Sequence, residues 1–212
     1  MSDVGYSTAF SYLLLAATGM YCTERYQCSI CTIKLACASF AVITVDALLG
    51  AWHWGKEIYS SLLIRRKSQL SSANKSEGTL QTVYTYTTFL RNLVALPFVV
   101  TQVWLDYGYE EELANFHSLL CLVPFHLYLA NKTNNAIIDM MIAVNGASFA
   151  IVSCMVKSLH GMAAAGSYLF THFVFRSGHL DFDQGSVTDL QNYGLICFMY
   201  YSLMCLSKTS KC

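Results

Sequence analysis

The chain has 212 residues, of which 55% are hydrophobic, 14% aromatic and only 12% charged, with 13 basic residues balanced by 13 acidic ones. A soluble domain carries about 25% charged residues, so this composition points away from a soluble globule and excludes disorder. Nine cysteines are too sparse for a disulfide-stapled module and leave one over, and zero net charge gives no basic field for nucleic acid.

The remaining class is an all-α membrane protein. Residues 4–23, 113–131, 158–175 and 190–207 contain no Asp, Glu, Lys or Arg, and 35–55, 78–105 and 133–156 contain one each. These lengths approach the ~20 residues a helix needs to cross the hydrocarbon, where the backbone must satisfy its own hydrogen bonds. The reading is a polytopic bundle of about seven transmembrane helices, with six as the alternative. The spans lie near 6–22, 34–53, 84–105, 113–131, 135–156, 158–175 and 188–206, in a single domain covering 1–212.

In chain order, the first span follows Met1-Ser2-Asp3, with no basic residue and no small-residue cleavage site behind it, so it reads as a retained helix. Cys28-Ser29-Ile30-Cys31 then stands at the mouth of the second span as a candidate thiol pair. Trp52 and Trp54 close the second span and Trp104 the third, the places of interfacial anchors. The 54–79 connection is basic, with Arg65, Arg66 and Lys67 behind an apolar face of Ile58, Tyr59, Leu62 and Leu63. It suits either a helix lying on an anionic leaflet or an extension of the second helix. The first half of the third span, 79–88, is polar for lipid and is expected to face other helices or to begin as an interfacial turn.

Pro97 and Pro124 each remove a donor and free the carbonyl four residues earlier. Ala143 with Ala147, Gly146 with Ala150, and Gly161 with Ala165 have the spacing that lets helices approach closely. The short Lys157–Gly161 link makes the fifth and sixth spans an antiparallel hairpin. Asp181-Phe182-Asp183-Gln184-Gly185 opens like a calcium loop, but Gly185 comes one place early and Asn192 replaces the closing Glu. A cap from Ser186 or Thr188, with Asp189 in the first turn of the last helix, fits better.

Let side A be the N-terminal side and side B the opposite. Lys56, Arg65, Arg66, Lys67, Lys75, Lys132 and Arg176 fall on side A, against Arg25, Lys34, Lys157, Lys208 and Lys211 on side B. The positive-inside rule then makes side A, and the N-terminus, cytoplasmic. The sequons at Asn74 and Asn131 lie on side A and should stay unmodified. The host membrane is the endoplasmic reticulum, the Golgi or the plasma membrane.

An ionisable residue inside a span is a functional-site hypothesis by default. Counted from side A, Asp46 lies ~9 Å deep, Arg91 ~10 Å, Asp139 ~5 Å, His126 ~6 Å and His172 ~5 Å. These five come from five spans and gather toward one face. Three readings fit. In the first, a polar cavity opens to side A, with Arg91 balanced by Asp46 and Asp139. In the second, a buried structural ion pair accompanies histidines satisfied by carbonyls. In the third, Arg91 and Asp139 snorkel to the interface. His126, His172, Asp46 and Asp139 are also zinc-ligand types, but no two share the i, i+4 spacing of a zincin helix.

No catalytic motif stands out, and no cofactor is called for. The leading expectation is a non-enzymatic membrane protein that packs with a membrane-protein partner in the lipid bilayer, or passes a small solute or lipid through the side-A cavity. The alternative is an enzyme, either a metal-dependent lipid hydrolase or a thiol oxidoreductase using Cys28 and Cys31.

Overall fold

The computed structural model describes residues 2–27, 34–64, 74–132, 134–176 and 184–209. All secondary structure among them is helical. The segments are α1 (Ser2–Gln27), α2 (Leu35–Ile64), α3 (Asn74–Asp106), α4 (Glu111–Leu120), α5 (Leu122–Leu129), α6 (Asn135–Met155), α7 (Leu159–Arg176) and α8 (Gln184–Thr209). Only Cys121 separates α4 from α5, so the eight segments form seven rods.

Among the described residues three helices are long and apolar enough to cross a membrane: Leu35–Lys56, Gln81–Asp106 and Asn135–Met155. The others fall short for readable reasons. Helices α1, α7 and α8 dilute their apolar residues with Ser, Thr, Tyr, Gly and His. The fourth rod is cut into pieces of 10 and 8 residues. Pro124, in the first turn of α5, cannot donate to Leu120, and the chain turns at Cys121 just before it. Pro97, by contrast, sits inside an unbroken α3.

Helix α1 packs on α2 and α8, α2 on α3, α3 on α4 and α6, α6 on α7, and α7 on α8. The rods alternate in direction. Ser7 and Ser11 of α1 donate to Asp189 in the first turns of α8, and the hydroxyls of Tyr12 and Tyr84 bond α1 to the early part of α3. These contacts define end A. End B is marked by Asp106 at the close of α3, which accepts from Lys34 at 3.0 Å, Tyr26 at 3.1 Å and Gln102 at 2.7 Å. The α6–α7 hairpin is as short as expected, and Lys157 takes the left-handed conformation with φ +52° in its turn.

Several expectations change. Helix α2 runs on unbroken to Ile64, so the start of the 54–79 connection is an extension of that helix. The polar first half of the third span is helical from Asn74. Its Tyr84, Thr87 and Thr88 hydrogen-bond inward. Trp104 is buried against His117 and Tyr109 and donates to Ser148 at 2.9 Å, so its polar edge is satisfied inside the bundle. Ser186 and Thr188 do not cap the last helix, because α8 begins at Gln184 and both lie inside it; Asp189, in its first turns, is buried against α1. Ala143 and Ala147 are exposed, whereas Gly146 meets Leu169 of α7 so closely that a Cβ there would overlap the leucine. Cys28 and Cys31, Arg65 to Lys67 and Asp181 to Asp183 lie outside the described residues.

The core is apolar, built from residues such as Phe40, Leu93, Leu96, Phe149 and Phe198, but polar side chains are buried within it and large apolar ones lie outside. Thr8, Ser11, Ser39, Asp46, Thr101, Asn145, Asn192 and Ser202 are fully or almost fully buried. Phe10, Leu13, Val45, Trp52, Leu119, Val123, Ile151 and Phe170 are exposed.

A candidate binding cavity between α3, α7 and α8

Four of the five ionisable residues singled out above meet in one arrangement. Asp46, midway along α2, has no solvent exposure. Arg91 of α3 donates from Nη1 to its Oδ2 at 2.6 Å. Thr88 and Thr87, one turn earlier on α3, donate to its Oδ1 at 2.8 and 3.2 Å. The spacing explains the convergence, because positions 87, 88 and 91 lie on one face of a helix. Across the bundle, His172 of α7 pairs through Nε2 with Asp139 of α6 at 2.8 Å.

The two pairs face one space. A cavity of about 230 Å³ is lined by Thr88, Arg91 and Asn92 of α3, Tyr168, Thr171 and His172 of α7, and Gln191 and Leu195 of α8. Asp46 and Asp139 do not line it. Each instead holds a lining residue from outside the wall. Gly194, on α8, keeps the far side together. Its missing side chain makes room for Thr171, and any Cβ there would overlap the threonine hydroxyl.

His126 is not part of this arrangement. It lies exposed on α5, and its Nδ1 pairs with the Leu122 carbonyl of its own helix at 2.7 Å. A position along a helix leaves the direction around it open. Among the described residues no three of His, Cys, Asp and Glu converge as a metal-binding group, so the imagined zinc set does not assemble there.

The structure adds residues that the sequence reading did not select: Thr88, Thr171 and Gln191 on the wall, and Thr87 behind it. The signal was present in spacing. Tyr84, Thr87, Thr88 and Arg91 recur at helical intervals, as do Tyr168, Thr171 and His172. A polar face of that period inside an apolar segment marks the side turned toward other helices.

A second buried set lies toward end B. Ser148 of α6 lies 2.9 Å from both Trp104 Nε1 and His117 Nε2, joining α3, α4 and α6. Serine beside histidine is a nucleophile–base pairing in outline. Here the serine oxygen already accepts from tryptophan, and neither residue lines the cavity between α3, α7 and α8, so the set acts as a clamp between helices. Nearby, burial and the neighbouring Cys205 thiol push the Tyr107 hydroxyl up to about 12. It therefore stays protonated at neutral pH, 3.9 Å from Cys205 Sγ.

No protein-family model, curated protein or solved structure matches the chain.

Proposed function

We propose that this chain is an integral membrane protein whose seven rods span the bilayer, with the N-terminus cytoplasmic, and that it binds a small solute or lipid headgroup in the cavity between α3, α7 and α8. Two features support membrane residence. The three strongly apolar helices have spanning length. Large apolar side chains such as Phe10, Leu13, Trp52, Leu119 and Ile151 also cover the outside, around an apolar core that holds buried polar groups. The host is an endomembrane or the plasma membrane.

One observation carries the binding role. Arg91 and His172, from different helices, face the same cavity, and a carboxylate outside the wall holds each of them. Buried charges are costly unless paired, and a purely structural pair is best satisfied when packed without a void. A cavity kept open beside the buried Asp46–Arg91 pair and the part-exposed Asp139–His172 contact is what a binding site requires. A pure packing role gives it no use. The reading assigns binding and names no catalytic step; the candidate thiol pair Cys28 and Cys31 lies outside the described residues.

The test is retention of ligand. The protein is extracted from membranes in mild detergent and examined by native mass spectrometry. A small solute or lipid should remain bound to the wild type. It should be lost from Gln191→Leu, which removes an amide from the wall at nearly constant volume. Equal retention by both proteins, or none by either, contradicts the assignment.

A further inference from the structure

The wall of this cavity also indicates the chemistry of its occupant, and this step rests on the binding role just proposed. Among the described residues no carboxylate lines the cavity. The wall carries one fixed cation, Arg91, one imidazole, His172, and the amides of Asn92 and Gln191. Both nearby carboxylates are already engaged outside the wall, Asp46 by Arg91, Thr87 and Thr88, and Asp139 by His172. Among the described residues a cationic ligand would find no carboxylate on the wall to pair with.

Hydrogen-bond accounting narrows the choice. A guanidinium has five N–H donors. Among the described residues Arg91 donates only from Nη1, to Asp46, and its Nε is buried without a partner. The hydroxyl hydrogens of Thr88 and Thr171 are spent on Asp46 and on the Ser167 carbonyl. Arg91 itself keeps donors beyond the one given to Asp46, and an unused buried donor costs ~1–3 kcal/mol. The complement is a group of clustered acceptor oxygens bearing negative charge. Carboxylate and phosphate match the planar fork of arginine in this way. A volume of about 230 Å³ is below the ~300 Å³ lower range of drug-sized pockets, so a small anionic group fits it.

We infer that the cavity binds an oxoanion, a phosphate or carboxylate group, held by Arg91 between Asp46 on one side and the anion on the other, with Asn92, Gln191 and His172 completing the contacts. The anion belongs either to a free solute or to the headgroup of a lipid entering between the helices.

The experiment titrates the intact protein in uncharged detergent with inorganic phosphate, short-chain phosphatidate and the matching diacylglycerol, following binding by native mass spectrometry. Phosphate and phosphatidate should bind, and diacylglycerol should bind at least tenfold more weakly, the size of one charge-assisted hydrogen bond. Phosphatidate tenfold tighter than phosphate identifies a lipid headgroup; equal affinity identifies a soluble anion. Arg91→Lys keeps a cation for Asp46 but loses the fork, and should weaken both anions at least tenfold. The wild-type comparison needs no variant to fold. Diacylglycerol binding as tightly as phosphatidate, lost in Gln191→Leu, would overturn the anion assignment and leave the cavity role standing. Failure of all three probes, with no native ligand retained, would overturn both.

Discussion

Asp46 accepts three hydrogen bonds, from Arg91, Thr88 and Thr87, in a place with no solvent. That arrangement sets the effect of changing it. Asp46→Ala leaves Arg91 buried and uncompensated, which costs ~3–5 kcal/mol where one partner of a buried pair is removed. Replacing both partners by apolar residues, Asp46→Leu with Arg91→Met, removes the orphan charge along with the pair. Unfolding in mixed micelles should therefore show the double variant to be more stable than Asp46→Ala. A double variant less stable than the single would show that the pair contributes more than mutual neutralisation. The depth of these charges was legible in the sequence, because a charge in a run of apolar residues is located by counting. Their partners were not legible. His126 and His172 have nearly equal depth, yet α5 turns its histidine outward and α7 turns its own toward Asp139. Only packing fixes that rotation.

At the scale of elements, the approach of α6 to α7 depends on Gly146, which accommodates Leu169. Gly146→Leu should separate the two helices and weaken the bundle by several kcal/mol, as overpacking a close contact does. Leu169→Ala in the same chain should recover part of the loss, measured by the melting temperature in detergent. Absence of any recovery would place the clash elsewhere. The glycine was legible as one of a set of small residues, but Ala143 and Ala147, at the same spacing, face outward. Small residues permit close approach without requiring it. The break between α4 and α5 was half legible. Pro97 and Pro124 have the same local chemistry, but only the second coincides with an interruption, at Cys121. Helix α3, packed on α2, α4 and α6, continues unbroken through its proline.

At the scale of the molecule, seven rods alternate in direction, so the two chain ends lie at opposite ends of the bundle. The all-helical class was legible from charge-free windows. The sequence reading has about seven spans, whereas among the described residues three helices are long and apolar enough to cross a membrane by length and composition alone. The difference lies in α1, α7 and α8, whose polar residues are spent on one another: Ser7 and Ser11 on Asp189, Asn192 on Ser11, Thr171 on the Ser167 carbonyl. Hydropathy counts such residues as though lipid met them, whereas the fold turns many of them inward.

The most direct test of the account is the sidedness of the two chain ends in sealed microsomes. Full-length protein carrying one epitope at each terminus is treated with protease from the cytoplasmic side. Seven spans predict that the N-terminal epitope is digested, the C-terminal epitope is protected, and the protein resists extraction at alkaline pH. Both epitopes digested together, or release of the protein into the soluble fraction, would contradict the seven-span bundle.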